Sequence, residues 1–164
     1  MANTYQSALF IKSRLEALVW GGGDNVFGKV LVTAGVDVER TRSQLRWPFC
    51  LILPDSMDVD EEEPDLVTQR FVLLVAQSVA NDPWGETVII GGASDGTGLT
   101  SPGRGILEIE QRLYDVMQLA SEQDGIRIQL ISASAIAAEF DVDIGYVAQR
   151  QYTFEVWTGV GFNP

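Results

Sequence analysis

The stretch Arg104–Ala120, RGILEIEQRLYDVMQLA, does most to limit what this chain can become. Wound on a helix, Ile106, Ile109, Leu113, Val116, Met117 and Ala120 fall in one apolar stripe. Glu108, Glu110, Gln111, Arg112, Asp115 and Gln118 take the opposite side. Such a stripe leaves water only by covering a sheet or another helix. The chain is therefore predicted to be layered, with this helix lying on something flat.

The rest of the sequence supplies both kinds of partner. Thr4–Trp20 is predicted as a first helix, capped by Thr4, with Ala8, Ile11, Leu15, Leu18 and Val19 as its stripe. Gly21-Gly22-Gly23 is its expected stop. A strand is expected at Val30–Val32 and a short helix over Val36–Leu45. Pro48 and Pro54 are expected to bound a second strand, since neither can donate a ladder hydrogen bond. Gln69–Ala80 is the strongest strand. Its Phe71–Val75 core is apolar at every position, which predicts cover on both faces and a central place in the sheet.

Asn81–Gly85 reads as a turn and Thr87–Ile90 as a further short strand. Beyond the organising helix, Asp124-Gly125 turns the chain, and Ile126, Ile128 and Leu130 alternate with Arg127 and Gln129 as in a half-buried strand. Ser132–Phe140 is rich in alanine and fits either helix or strand. Asp141–Gly145 is a turn or linker. In the closing strand, Tyr146–Trp157, Tyr152, Phe154 and Val156 face one way and Gln151, Thr153 and Glu155 the other. Gly159–Pro164 reads as a loose tail. Strands joined by short turns, with helices at two separated points, predict an α+β fold. The expected architecture is a mostly antiparallel sheet with two amphipathic helices packed on one face and polar side chains on the other. The 164 residues fit one domain over 1–164.

The residue inventory closes several routes to chemistry. There is no histidine, which excludes Ser-His-Asp and Cys-His catalysis and removes the usual zinc ligand. Cys50 is the only cysteine and sits in the apolar run Phe49–Leu53, so a buried inert thiol is expected. Eleven basic against 23 acidic residues give a formal charge of −12. That charge suits solubility, or a surface that must not hold DNA or another polyanion. Met1–Gln6 carries no basic charge and no apolar run follows it, so the chain is expected to be made and used without secretion. No stretch approaches the roughly 18 apolar residues of a membrane span.

Two segments invite a functional test. Asp55–Asp65, DSMDVDEEEPD, reads as a loop with seven acids. Asp58, Asp60 and Glu62 alternate as calcium ligands do, but Glu63 and Pro64 stand where the turn glycine belongs, so a solvated loop without metal is expected. Gly91–Arg104, GGASDGTGLTSPGR, lies where phosphate loops lie, before a helix. It contains no lysine for a P-loop, and Ser101 takes the third glycine position of a dinucleotide loop begun by Gly96 and Gly98. No cofactor and no catalytic residue is expected. A flexible connection is, with Gly91, Gly92, Asp95, Gly96, Gly98, Pro102 and Arg104 as the candidate assembly loop.

The layout as a whole resembles the tail terminator and tail-completion proteins of long-tailed bacteriophages. The resemblance runs through the opening helix Tyr5–Trp20, the Pro48–Pro54 strand with an acidic loop after it, and the long strand Gln69–Ala80. It continues through the loop and helix Gly103–Leu119 to the closing strand Tyr152–Trp157. The long glycine-rich loop and the dense acidic run set this chain apart from the family pattern. The resemblance implies a virion structural protein with no catalytic residue. Six copies of such a protein form a ring that caps the tail tube and docks to the head–tail connector. Its expected partners are further copies of itself, a tail tube protein and a connector protein, with DNA passing through unbound. Asp60, Glu61, Glu62 and Glu63 are then the candidate channel-facing acids, since carboxylates repel phosphates that lysine or arginine would hold. Two other readings stand beside it. One is a different neck or tail-tube component, and the other a small enzyme or nucleotide-binding domain using Gly91–Arg104.

Overall fold

The computed structural model describes residues 4–21, 23–33, 46–59, 62, 67–79, 85–91, 105–123, 126–143 and 145–158, with backbone alone at 86, 87, 116 and 118–123. The fold is α+β, as the sequence predicts. Its elements in chain order are α1 (Thr4–Glu16), β1 (Lys29–Val32), β2 (Phe49–Val59), β3 (Val67–Val79), α2 (Glu86–Ile90), α3 (Ile106–Gln123), β4 (Ile126–Ala133), β5 (Ala137–Asp141) and β6 (Gly145–Thr158). All strands belong to one sheet in the order β1-β2-β3-β6-β4, with β5 pairing the first half of β6 on the side where β4 pairs the second. β1 runs parallel to β2, and every other pairing is antiparallel. β3 is the central strand.

The helices lie on one face. Ile106, Ile109, Leu113 and Met117 of α3 and Ala8, Ile11 and Leu15 of α1 are buried. They share a core with Cys50 and Ile52 of β2, Phe71, Leu73 and Val75 of β3, and Tyr152, Phe154 and Val156 of β6. Each strand contributes alternate residues, as the two-residue period requires. Cys50 is fully buried, and that burial drives its thiol pKa far upward.

Several expectations need correction. The first helix stops at Glu16, not Trp20. Leu18 is still buried, but the chain there folds back: Val26 N–H donates to Leu18 O at 2.8 Å and Trp20 N–H to Asp24 O at 2.7 Å. Val19 is therefore not on a helical stripe. It bridges to Asn25 and stays 47% exposed. Gly23, with φ of 92°, serves that reversal rather than a helix end.

The second strand does not end at Pro54. It runs on to Val59, and the register slips between Pro54 and Ser56. A bulge is where a ladder can spare a donor, so proline fits inside the strand. Half of the supposed acidic loop, Asp55–Val59, is thus strand. Thr87–Ile90 belongs to the one-turn helix α2 instead of a strand. It is held between Gly85 and Gly91, both with positive φ, at 73° and 77°. A side chain at Gly85 would press on the Tyr146 ring, 3.2 Å from an added Cβ.

The face away from the helices is not polar throughout. Gln151, Thr153 and Glu155 lie there with Arg127 and Gln129, as expected. Over β2 and β3, however, Phe49, Leu51, Leu74 and Ala76 form a second buried cluster, and Trp47 packs on Phe49 with ring centres 4.8 Å apart. This is the consequence of the uninterrupted apolar run in β3. The alanine-rich Ser132–Phe140, whose sequence fits either helix or strand, is strand at both ends, closing β4 and forming β5. The predicted short helix Val36–Leu45, the Asp124-Gly125 turn and the tail 159–164 lie outside the described residues.

Candidate functional site

The acidic run begins on β2. Asp55 and Asp58 are exposed on this strand. Beside them Arg70 of β3 binds Glu155 of β6, with Nε and Nη2 donating to one carboxylate oxygen at 2.8 and 2.6 Å. The bond to Glu155, then its charge and those of Asp58 and Asp55, raise the guanidinium pKa further. This corner thus holds three carboxylates around one cation before the run turns toward β3. Glu62 follows in a bend and is exposed. Asp60, Glu61 and Glu63 lie outside the described residues. Among the described residues no group of three or more His, Cys, Asp or Glu is placed to hold a metal ion.

The candidate assembly loop is described only at its roots. Gly91 closes α2, and Gly105 opens α3. Their backbones touch: a Cβ on Gly105 would collide with Gly91 N, and one on Gly91 with the Glu108 carboxylate. Gly105 N–H donates to Glu108 Oε2 at 3.1 Å, and Gly105 O accepts the first helical bond from Ile109 N–H at 3.1 Å. This is the return half of a capping box, with Gly105 at the cap. The two ends of the segment between are therefore adjacent. Gly92, Asp95, Gly96, Gly98, Pro102 and Arg104 lie outside the described residues.

Sequence reasoning overlooked a polar network on the helix-covered face. Arg150 Nη1 lies 2.6 Å from Glu110 Oε2 of α3, and the Tyr152 hydroxyl donates to the same oxygen at 2.7 Å. Arg150 Nε donates to Ser134 O at 2.8 Å. The Tyr114 ring meets that of Tyr152 edge-on, with centres 6.2 Å apart. Burial first, then the hydrogen bond and charge of Glu110, push the Tyr152 hydroxyl far above its ordinary range. A hydroxyl so firmly protonated is a donor and not a base at neutral pH. The network clamps α3 to β6 and to the β4–β5 connection. The signal was present: Arg150 stands two residues before Tyr152, which puts both on one face of β6.

The other feature that sequence reasoning overlooked is the pair of sheet margins. The register aligns Lys29, Phe49, Ala76, Gln149 and Ala137 in one row from β1 across to β5. Among the described residues nothing pairs with the outer side of β1 or of β5. β5 is exposed along Ala137–Phe140, and beyond it Val142 is 89% exposed and Phe140 63%. The Phe140 ring rests on Tyr146, with centres 5.2 Å apart.

A cleft of about 290 Å³ between α3 and β4 is lined by Tyr114, Met117, Ile128, Gln129, Leu130 and Phe154. It brings no acid and base together. Among the described residues no helix is long and apolar enough to cross a membrane. No known protein family matches this chain, and no curated protein does.

Proposed function

We propose that this chain is a virion structural protein, a tail terminator. In this reading copies of it form a ring that caps the tail tube and docks to the head–tail connector. The observation that carries the reading is the sheet with two open margins. One face is sealed by helices, yet a short strand at either side leaves its backbone edge unpaired among the described residues. A monomer that works alone normally covers or blunts such edges, whereas an assembling subunit uses them. The layout resemblance names the assembly.

The two loop regions fit two different tasks. The acidic segment joins β2 and β3 at one end of the sheet, whereas α2, which leads into the glycine loop, begins at Gly85 beside Tyr146 at the other. An acidic turn suits a channel through which DNA must slide without sticking. A long segment whose two ends meet suits a contact made with a neighbour or with the connector.

Negative-stain images and mass photometry of the purified protein test the reading. Discrete rings, or rings stacked as short tubes, are expected, and a tail-assembly mixture lacking the protein should give tubes of uncontrolled length. A protein that stays monomeric at every concentration, and whose melting temperature rises with nucleotide, would overturn it for the nucleotide-binding alternative.

A further inference from the structure

Resting on the ring reading, we infer the contact that builds the ring: the outer edge of β4 in one copy pairs with the outer edge of β2, over Ser56–Val59, in the next. The occupant of each edge is thus a second copy of this chain. Among the described residues nothing pairs with the outer side of β2 beyond Ile52, and nothing pairs with that of β4. Pro54–Val59 is exposed residue after residue, although a strand with one covered face alternates. Met57 and Val59 are half-exposed there, on the side that the helices cover elsewhere.

The two edges are level over four rows: through β3 and β6, Val59 shares a row with Ile126, Asp58 with Arg127, Met57 with Ile128 and Ser56 with Gln129. Both register shifts lie past these rows, between Pro54 and Ser56 and between Leu130 and Ser132. Three antiparallel ladders separate the edges, so β4 runs opposite to β2. The rows whose N–H and C=O groups point outward then coincide on the two edges. Setting a second copy beside the first in the plane of the sheet therefore continues the ladder, with no slip and neither sheet turned over.

The side chains agree with that register on both faces. On the helix side, Met57 of the second copy comes to stand beside Ile128, in the wall of the cleft of about 290 Å³ between α3 and β4. Gln129 faces away from the helices yet also lines this cleft, so the cleft reaches the backbone of the strand. The Thr4 hydroxyl, 3.7 Å from Met57 Sδ, holds that side chain at the edge, and an unbranched thioether fills such a gap well. On the far face, Asp58 comes beside Arg127. Asp58 shares the cation Arg70 with Asp55 and Glu155, so its corner keeps excess negative charge. Arg127 stacks on Trp157, 5.3 Å from the ring centre, and a guanidinium stacked by its face keeps its in-plane N–H fork for a carboxylate. A two-fold pairing of β2 with itself would set acid against acid, which is unfavourable. A contact between two different edges is heterologous, and heterologous contacts close into rings when the rotation allows.

Asp58→Arg and Arg127→Asp test the contact, each alone and both in one chain, by sedimentation velocity. Each single reversal should raise the apparent dissociation constant about tenfold or more, and the double variant should recover association. Met57→Ala should also weaken association about tenfold, because less apolar surface leaves water on pairing, while the melt of the dissociated protein stays unchanged. Asp58→Cys mixed with Arg127→Cys gives a second readout if a charge variant folds poorly. Oxidation should link the two variants to each other and neither to itself, since Cys50 is buried. A wild-type ring indifferent to both reversals and to Met57→Ala, or cysteine variants that link only to themselves, overturns this contact and leaves the ring reading standing. A wild-type protein with no assembly at any concentration overturns the ring reading and this contact with it.

Discussion

Truncating Leu113 tests the layered architecture at its centre. Leu113 has no exposed surface and lies in the core shared by α1, α3 and the sheet. Leu113→Ala removes the apolar contacts and leaves a void, which for a fully buried leucine costs about 2–5 kcal/mol depending on how far the surroundings collapse. Two features place this site in the lower half of that range. Met117, one turn along the same stripe and also buried, can re-orient its unbranched side chain into the space. Alanine is also the slightly better helix former. A loss of about 3 kcal/mol follows. In a domain of this size each kcal/mol lowers the melting temperature by about 2–4 °C, so the melt should fall by about 6–12 °C. Calorimetry and urea unfolding measure it, and the urea midpoint should drop with the slope unchanged. Val142→Ala, at a position 89% exposed, is the control and should stay within about 0.5 kcal/mol of wild type. If Leu113→Ala melts with the control, α3 does not seal the sheet.

The roots of the glycine loop touch, so deleting Ser94–Leu99 should leave the melt nearly unchanged, because shortening a closed loop alters its entropy by only about 0.6 kcal/mol per halving. Tail joining or particle titre should fall, and full titre would make the segment a mere connection. Stability should decline as pH rises through about 8.5 and again above about 10. The unfolded chain releases the Cys50 and Tyr152 protons there, whereas the folded chain, with both pKa values raised, keeps them. Tyr152→Phe should flatten the upper part of that slope in urea melts at stepped pH, and an unaltered slope would sever Tyr152 from it. Serine at Asp60, Glu61, Glu62 and Glu63 should leave stability nearly constant, since a run of like charges repels itself and contributes nothing stabilising. DNA passage from mutant particles should change, most visibly at low salt, and normal ejection at every ionic strength would remove these acids from the channel.

What the sequence discloses here follows from how local each signal is. The stripe of α3 and the alternation of β6 are properties of single elements, and both are legible at Ile106, Ile109, Leu113 and Met117 and at Tyr152, Phe154 and Val156, all of them buried. The bulge at Pro54 was not, because proline reads as a boundary unless its partner strand is known to continue. Val67–Arg70 supplies that continuation from the far side of the turn. Val19 looked helical for a similar reason: its spacing is right, but the hydrogen bonds that redirect the chain come from Asp24 and Val26. The second apolar cluster was half-legible, since a run with no polar residue cannot have a polar face. The clamp of Glu110, Arg150 and Tyr152 joins residues forty positions apart in sequence. On α3 alone, Glu110 belongs to the solvent side, and only the approach of β6 makes it an acceptor for two donors. The sheet margins are less local still. That Lys29 and Ala137 share one row follows from four strand pairings taken together. The features that position this chain's own fold are written within elements. Those that would join it to another copy exist only once the sheet is assembled, so function is harder to read from this sequence than architecture.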